Sequence, residues 1–358
     1  MKRVHNFSAG PATLPLSVLE KVQNELIDYK EKGASIIEMS HRSPEYTEVN
    51  RQAVERVKEI TGADDDWEVL FLQGGASSQF MMVAHNFLNM DRTANYIDTG
   101  TWSAKAIKEA KLFGNVHTSF SGKEGAYGHI PTNDELTFAE EAIYTHFTSN
   151  NTVAGTQFAA EPKSSSPLVC DASSDFLSHS LDLDKFGLIY AGAQKNVGPA
   201  GVTVVMIRKS FLEKQRSEAI PTILNYKTHV EKLFNTPPVF AVYILNYVLE
   251  WIQEKGGLSY FEKFSNEKSG LIYSEIDQDD FYRGTVEKEA RSKMNITFRL
   301  PSEDLEKKFI SEAASQNLMN LKGHRSVGGI RASIYNACEM DSVKALVDFM
   351  GEFRSKNG

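Results

Sequence analysis

The sequence contains little cysteine, and this scarcity excludes small disulfide-rich proteins and four-thiolate zinc proteins. Cys170 and Cys338 are the only cysteines among 358 residues, and two thiols cannot build either framework. The simplest expectation is a reduced, cytoplasmic setting. Long apolar runs are also missing, because the longest wholly apolar stretch is residues 239–245 and a membrane span needs about 20 residues. Basic residues at positions 2 and 3 resemble the start of a signal peptide, but no apolar stretch follows them, so we expect a soluble protein without a signal peptide or a membrane partner.

Several motifs that bind cofactors or metals are absent. No two glycines are spaced i, i+2, and no glycine is followed by Lys-Ser or Lys-Thr, which excludes the dinucleotide fingerprint and the P-loop. The nine histidines contain no i, i+4 pair and no H-E-x-x-H motif, so no metal site is expected. Positive charge is also in deficit, with 39 Lys and Arg against 47 Asp and Glu and a net charge of −8. We therefore do not expect a nucleic-acid partner, and any anion site must be local.

The composition that remains is that of an ordinary globular protein, with 41% apolar and 24% charged residues. At about 150 residues per domain, the length predicts two domains. Helical spacing or helix-start signals occur at residues 18–30, 43–45, 77–88, 104–113 and 302–316. Short apolar runs predict buried strands at residues 68–73, 94–98, 168–171, 187–191 and 201–207. This alternation predicts a mostly parallel α/β sheet covered on both faces, followed after about residue 265 by a smaller α+β domain.

Polar residues that follow the predicted strands are the first site candidates, because ligands of open α/β sheets bind beyond the carboxyl ends of the strands. One run ends at Gly74-Gly75 before a helix, an arrangement that presents N–H groups to a phosphate; the alternative is a plain tight turn. Trp102, on a predicted turn at residues 100–103, either stacks on a flat ring or simply packs. Asp171 ends another run and needs a partner if buried; it either caps the next turn or holds a cationic ring nitrogen.

Basic residues supply the remaining candidates. Lys195 lies among small residues between two apolar runs. It is either a surface lysine or a desolvated lysine whose lowered pKa suits Schiff-base chemistry. His324 and two arginines, Arg325 and Arg331, lie on a Gly-rich turn, and His41-Arg42 forms a similar pair. Arginine binds carboxylate and phosphate through two parallel hydrogen bonds, whereas the alternative for each arginine is solvated surface charge.

Together these candidates supply a phosphate-binding helix N-terminus, an aromatic ring for stacking, a carboxylate for a ring nitrogen, a Schiff-base lysine and anion-binding arginines. That combination is typical of a pyridoxal 5′-phosphate (PLP) site. The order of the motifs resembles the phosphoserine aminotransferase family of fold type I PLP enzymes, which have the aspartate-aminotransferase-like fold. The motifs are NFSAGPA at 6–12, EMSHRS at 38–43, QGGAS at 73–77, TGTWS at 99–103, DASS at 171–174, AGAQKN at 191–196, NTPP at 235–238, GHR at 323–325 and GGIRAS at 328–333.

This resemblance covers essentially the whole chain and implies its domain organisation. A large, mostly parallel α/β/α domain would comprise residues 15–265. A smaller α+β C-terminal domain would comprise residues 266–358 together with the N-terminal segment, residues 1–14. The resemblance also implies a homodimer whose two active sites are shared between the protomers.

The resemblance implies a role for each cofactor-binding position. Lys195 forms the Schiff base with PLP and later moves the proton of the transamination, and Asp171 pairs with the ring nitrogen. Trp102 stacks on the ring, and Thr152 contacts its phenolic oxygen. The cofactor phosphate is held by Ala76, Ser77 and Gln194, and, from the other protomer, by Asn235 and Thr236. An alternative role for Thr236 is the N-cap of the following helix.

The implied reaction is the reversible transfer of an amino group from L-glutamate to 3-phosphohydroxypyruvate, which gives O-phospho-L-serine and 2-oxoglutarate in serine biosynthesis. A candidate second substrate is 4-phosphohydroxy-L-threonine of vitamin B6 (pyridoxine) biosynthesis. Arg331 binds the substrate α-carboxylate in this interpretation. The distal phosphate or γ-carboxylate is bound by His41, Arg42, His324 and Arg325. Some family members carry an arginine at the position of Ser77, so in this chain more of the phosphate binding falls to Arg42 and Arg325.

Two alternatives remain open on the sequence. A cysteine desulfurase shares the fold but needs a nucleophilic cysteine on a mobile loop, whereas Cys170 lies in a predicted strand and Cys338 follows an apolar run. Desulfurases also tend to have histidine at the positions of Gln194 and Trp102. A binding protein on an inactive PLP scaffold would lack the lysine or the acidic residue, and this chain has both.

Overall fold

The computed structural model describes residues 3–358. Met1 and Lys2, part of the N-terminal segment assigned above to the small domain, lie outside the described residues. The described chain forms ten α-helices: α1 (Leu16–Glu25), α2 (Pro44–Thr61), α3 (Gly75–Phe87), α4 (Thr101–Ala110), α5 (Lys209–Leu212), α6 (Tyr226–Glu231), α7 (Val239–Glu254), α8 (Gly257–Ile276), α9 (Glu303–Ser315) and α10 (Met340–Asn357). Its strands are β1 (His5–Asn6), β2 (Trp67–Leu72), β3 (Thr93–Asp98), β4 (Asn115–Ser121), β5 (Thr145–Thr148), β6 (Asn150–Asn151), β7 (Thr156–Gln157), β8 (Leu168–Asp171), β9 (Phe186–Gly192), β10 (Thr203–Arg208), β11 (Arg283–Gly284), β12 (Asn295–Arg299), β13 (Leu318–Met319) and β14 (Ile330–Ser333).

A seven-stranded sheet in the order β2-β10-β9-β8-β5-β3-β4 forms the centre of the larger part. Its neighbouring strands are parallel except at β10, which runs antiparallel to both β2 and β9. Val169 and Leu188 pack into the core under α3 and α4, whereas Cys170 and Ile189 pack into the core that α1, α2 and α7 cover. Burial on both faces is the reason why these strands are continuous apolar runs. The predicted α/β sheet, mostly parallel and covered on both faces, is confirmed.

The start of α4 differs from the prediction in a way that matters for the site. The Ser103 hydroxyl accepts hydrogen bonds from the N–H groups of Thr99 (3.0 Å) and Gly100 (2.9 Å). These bonds satisfy backbone donors at the helix N-terminus, and α4 begins at Thr101 rather than at residue 104. The predicted turn at residues 100–103 is therefore wrong, and Trp102 lies in the first turn of a helix.

Other elements were missed or placed differently. The helix predicted at residues 18–30 ends at Glu25, and Ile27 beyond it is 86% exposed, so its apolar side chain does not continue the buried face. The predicted start of α2 is confirmed, because the Ser43 hydroxyl accepts from the N–H of Tyr46. Strands β4 and β5 were not predicted, because neither is a run of apolar residues. Most residues of β4 are polar and not buried, and β5 is buried although most of its residues are polar.

The C-terminal part has its own core. The antiparallel sheet β11-β12-β14 packs with α8, α9 and α10. The N-terminal segment joins this part, because β1 pairs in parallel with β13 and Phe7 is fully buried in the same core. Helix α8 runs without a break through residue 265, so the division of the chain at that residue stays a prediction.

Three general features of residues 3–358 complete the fold. No helix in this range is both long and apolar enough to cross a membrane. No three or more His, Cys, Asp or Glu side chains of the range lie together in a group that could hold a metal ion. Both cysteines are buried and unpaired.

Candidate active site

The side chains of Lys195 and Ser174 meet at the carboxyl ends of two neighbouring strands. Ser174 follows β8, and Lys195 follows β9 in a tight loop that the hydrogen bond from the Ala193 N–H to the Val202 carbonyl closes at 3.0 Å. The Lys195 Nζ donates to Thr152 Oγ1 at 2.8 Å and to Ser174 Oγ at 2.7 Å. The two hydroxyls are themselves 2.6 Å apart. Lys195 is thus a half-buried lysine held by hydroxyls, not a solvated surface lysine.

The environment of Lys195 favours its neutral amine. Burial is the main cause that lowers the Lys195 pKa to about 8. The charges of Asp171 and Asp175 oppose this shift, and the nearby Arg331 adds to it. A substantial fraction of the amine is therefore neutral near physiological pH, as a nucleophile or a general base requires.

Asp171 is a buried carboxylate without an ion pair. Its side chain is 3% exposed, and Oδ1 accepts from the N–H of Ser173 at 3.0 Å. Burial raises the pKa of Asp171, while the Ser173 hydrogen bond and the Lys195 charge lower it. Among the described residues no cation forms a salt bridge with this carboxylate. A buried carboxylate in this position is best stabilised by a cationic group that binds beside it.

Trp102 and the N-terminus of α3 border the same space. The Lys195 Nζ lies 5.8 Å from the centre of the Trp102 ring, and the indole N–H has no hydrogen-bond partner in the described chain. Gly74 has a φ of +94° that only glycine adopts easily, and it turns the chain from β2 into α3. A Cβ placed on Gly192 at the end of β9 would lie 3.9 Å from the Ala76 nitrogen. The free N–H groups at the start of α3 therefore lie beside the strand that leads to Lys195.

Ser77 and Gln194 flank this helix start and the lysine. Ser77 follows Ala76 in the first turn of α3. The Gln194 carbonyl accepts from the N–H of Ala12 at 2.9 Å, so the N-terminal segment passes directly over the loop that carries Lys195. The half-buried Gln194 side chain lies under Gly10, since a Cβ on that glycine would approach Gln194 Cδ to 3.7 Å.

A group of basic side chains lies beside Lys195. The Arg331 Nη1 donates to the Thr152 carbonyl at 3.4 Å, and its Nε is buried without a partner. Burial lowers the pKa of His324, and the charges of Arg331, Arg325 and Lys105 lower it further. None of these basic residues forms a salt bridge with a carboxylate of residues 3–358. Cations that stand together without carboxylates form a site for an anion.

The structure does not bring every predicted residue into this group. His41 is half-buried and Arg42 is exposed, and neither is among the charges that act on His324. Asn235 and Thr236 lie at the end of β2, where the Gln73 amide donates to the Thr236 carbonyl at 2.8 Å. The capping role considered for Thr236 is wrong, because the residue before α7 is Pro238 and no side chain caps that helix.

The sequence analysis did not assign a site role to two residues, Ser174 and Lys105. Ser174 was interpreted only as part of a turn, and its contact with Lys195 bridges 21 residues of chain. Lys105 lies three residues after Trp102 on α4, and its Nζ lies 4.3 Å from the centre of the Trp102 ring. The i, i+3 spacing from Trp102 was the available signal for Lys105, and the DASS motif at residues 171–174 was the available signal for Ser174.

The residues present fit PLP. A lysine with a lowered pKa, a buried carboxylate without a partner, an aromatic ring and a helix N-terminus correspond to its aldehyde, ring nitrogen, ring face and phosphate. The unpaired Arg331 Nε adds a donor for a substrate carboxylate. Within the described chain no residue of the group would repel these parts of the cofactor.

Comparison with known proteins gives the same result. Residues 4–346 match the family model described as aminotransferase class-V. The phosphoserine aminotransferase of Desulfotalea psychrophila is 51% identical over 99% of this chain and 99% of its own length. The solved phosphoserine aminotransferase from Bacillus circulans subsp. alkalophilus is 49% identical, with a TM-score of 0.97 over 100% of both chains. A PLP-bound phosphoserine aminotransferase from Trichomonas vaginalis is 37% identical, with a TM-score of 0.91 over 98% of this chain and 100% of its own.

The fold and the site define a fold type I, PLP-dependent transaminase, as predicted. The chain belongs to the class-V aminotransferases, and within that family to the phosphoserine aminotransferases. The fold class, the cofactor and the enzyme class predicted from the sequence are thereby confirmed. The cysteine desulfurase is not favoured.

Proposed function

We propose that the chain catalyses the reversible transfer of an amino group between L-glutamate and 3-phosphohydroxypyruvate, with O-phospho-L-serine and 2-oxoglutarate as the other pair. The observation that carries this proposal is the group of four basic side chains, Arg331, His324, Arg325 and Lys105, which has no neutralising carboxylate in the described chain and whose member Arg331 acts on Lys195. Each substrate has an α-carboxylate and a second anionic group, and one member carries a dianionic phosphate. Several separate basic side chains suit two substrates of different length better than one rigid arginine.

Within this site Arg331 would bind the α-carboxylate, because it is half-buried, lies next to Thr152 and has an unpaired Nε. His324 and Arg325 would bind the distal phosphate or γ-carboxylate, since they lie further from Lys195 on an exposed loop. Bound PLP withdraws electrons from the substrate carbon. The Lys195 amine would take up and return the proton, and Asp171 would keep the ring nitrogen protonated.

The remaining positions would hold the cofactor in place. Trp102 offers its ring face, and Thr152 a hydroxyl for the phenolic oxygen. The N–H groups at the start of α3 favour a phosphate through the helix dipole, which contributes about 0.3–1 kcal/mol. The phosphate would be bound by Ala76, Ser77 and Gln194.

The active unit would be a homodimer. His41 and Arg42 are not among the charges that act on His324, and Asn235 and Thr236 bond instead to Gln73 at the end of β2. The segment that leads to His41 exposes Ile37 to 54%, an apolar surface that a partner would cover. We infer that these four residues complete the site of the other protomer, where Asn235 and Thr236 would bind the cofactor phosphate and His41 and Arg42 the distal anion.

The same phosphate subsite fits 4-phosphohydroxy-L-threonine, so a role in pyridoxine biosynthesis beside serine biosynthesis is part of the proposal.

A cytoplasmic location is supported by the two buried, unpaired thiols. A desulfurase would need one of these thiols as its nucleophile. Burial raises the pKa of both Cys170 and Cys338, which works against a thiolate at either position.

An absorption spectrum tests the reaction. We expect L-glutamate to remove the visible band of the PLP-loaded protein, and 3-phosphohydroxypyruvate to restore it, because each substrate completes one half-reaction. 4-Phosphohydroxy-L-threonine should also remove the band. A band that neither L-glutamate nor 3-phosphohydroxypyruvate changes would disprove the proposal. Release of sulfide from L-cysteine would instead identify a desulfurase.

Variants of the arginines test the anion sites. Arg331→Ala should raise KM for both substrates about 10–100-fold, since a hydrogen bond to a charged group contributes about 1.5–3 kcal/mol. Arg325→Ala should raise KM for 3-phosphohydroxypyruvate at least as much as KM for glutamate. Arg283→Ala, at an exposed arginine of the same sheet, is the matched control and should change neither. Unaltered KM values in both Arg331→Ala and Arg325→Ala would contradict the assignment.

A further inference from the structure

The Ser174 hydroxyl is the nearest hydrogen-bond partner of the Lys195 amine. The Ser174 side chain is buried, with 1% exposure, and its Oγ lies 2.7 Å from the Lys195 Nζ. Its other side-chain partner in the described chain is Thr152 Oγ1 at 2.6 Å. Ser174 therefore has no structural bond outside this group of three, such as a helix cap or a tie between strands.

A hydroxyl serves both protonation states of an amine. It accepts a hydrogen bond from an ammonium, and it donates one to the lone pair of a neutral amine. Since Lys195 has a pKa of about 8, both states are populated near physiological pH. A fixed carboxylate in this place would favour only the ammonium, and an apolar side chain would favour only the neutral form.

The two hydroxyls of the group are not equivalent. Thr152 also accepts a hydrogen bond from Arg331 at its carbonyl, and under the proposed function its hydroxyl is the one that faces the cofactor ring. Ser174 belongs to the loop after β8, next to Asp171, and contacts Lys195 without reaching Arg331. Of the two, Ser174 is the hydroxyl that remains with the lysine amine when that amine carries or releases its proton.

We propose that Ser174 is a positioning residue for proton transfer by Lys195. Its hydroxyl oxygen accepts an N–H when Lys195 has taken up a proton, and its O–H donates to Nζ when that proton has left. No bond to Ser174 is made or broken, so it ends each cycle unchanged. The inference rests on the role of Lys195 in the proposed function and extends it to a residue to which the sequence analysis assigned no role.

The first test uses the protein with PLP removed and needs no substrate. Lys195 is labelled with cyanate at a series of pH values, and the modified peptide is quantified by mass spectrometry, because only the neutral amine reacts. Hydrogen bonds to charged groups are stronger than those to neutral groups. Ser174→Ala should therefore destabilise the ammonium more than the amine and move the labelling midpoint downward by about 0.5–1 pH unit.

Ser178→Ala is the matched control. The buried Ser178 hydroxyl donates to the backbone carbonyl of Asp175 at 2.7 Å and is a hydrogen-bond partner of neither Lys195 nor Asp171. This variant should keep the wild-type midpoint. A midpoint that is unchanged in Ser174→Ala, or shifted equally in both variants, would overturn the inference.

The second test uses the PLP-loaded enzyme. Ser174→Ala should lower kcat about 10-fold and shift the acid limb of its pH profile downward, with both KM values within about twofold of wild type. A purely structural serine would lower thermal stability without moving the pH profile. Loss of PLP affinity with an unmoved labelling midpoint would assign Ser174 to the cofactor and disprove the proposal. Because the labelling needs no turnover, its outcome is independent of whether the proposed substrates are correct.

Discussion

Replacement of Lys195 by alanine is expected to lower kcat by at least about 10²–10⁴-fold, the contribution of a positioned general base, and by more if the covalent bond to PLP is also lost. The reason lies in the geometry of the amine, which two hydroxyls hold at 2.7–2.8 Å. Burial lowers its pKa to about 8, so a substantial fraction of the amine is neutral near physiological pH. An alanine leaves no group that can take up the proton. The measurement is kcat for glutamate and 3-phosphohydroxypyruvate, with the absorption spectrum of added PLP as a readout that does not depend on turnover.

A second buried lysine provides the control for this experiment. Lys268 on α8 is fully buried and donates to the carbonyls of Ile334 (2.9 Å), Tyr335 (2.7 Å) and Cys338 (2.9 Å). Its pKa is also lowered to about 8 by burial, yet its three N–H groups are all used in holding a turn. Lys268→Met should lower the free energy of unfolding by roughly 2–5 kcal/mol and leave kcat within about tenfold. Full turnover in Lys195→Ala would show that the assignment of the base is wrong.

The comparison of these lysines shows why the lowered pKa alone does not identify a functional residue. Both side chains are desolvated, and both have similar pKa values. They differ in their partners, since fixed carbonyls accept hydrogen bonds only, whereas hydroxyls accept and donate. The carbonyls around Lys268 can bond only to N–H groups, whereas the hydroxyls around Lys195 can also donate to the lone pair of its neutral amine.

Much of the central sheet was predictable because its strands are buried on both faces. Residues 168–171 form β8 with the predicted bounds, and β2, β3, β9 and β10 lie within two residues of theirs at each end. Strand β5 was not predicted because it buries polar side chains, some of which have partners inside the fold, such as His146 with Tyr190 at 2.8 Å. Sequence patterns record side-chain polarity, but they do not record the tertiary partner that makes burial of a polar side chain tolerable.

The candidate site was predictable where a residue follows a strand. Asp171, Trp102 and Lys195 were found in this way, because the carboxyl ends of neighbouring strands meet at one edge of the sheet. Ser174 was not found because its contact with Lys195 joins segments 21 residues apart, and Lys105 was missed although it lies at i, i+3 from Trp102. His41 and Arg42 mark a further limit, because they are not among the charges that act on His324 in this chain.

Replacement of Asp171 by asparagine is expected to lower kcat at least about 100-fold and to weaken PLP binding about tenfold. The carboxylate is buried without a salt bridge, and a charge-assisted hydrogen bond to the ring nitrogen contributes about 1.5–3 kcal/mol. An amide has nearly the same shape but cannot hold the nitrogen in its protonated form. The measurements are kcat and the affinity of the cofactor-free protein for PLP, followed by tryptophan fluorescence.

The stability of the cofactor-free protein should change in the opposite direction to its activity. Burial raises the pKa of Asp171 above its unfolded value, so the folded state binds more protons and its stability falls as pH rises from about 4 through the folded pKa. Asp171→Asn removes that charge and should leave the melting temperature at pH 7 equal to or above that of the wild type. Asp175→Asn is the matched control, since its buried carboxylate accepts from Ser149 and Gln157 rather than facing the cofactor. Burial also raises the pKa of Asp175, so by the same argument Asp175→Asn should not lower stability at pH 7, and it should keep PLP affinity. Equal losses of PLP affinity in both variants would contradict the role of Asp171.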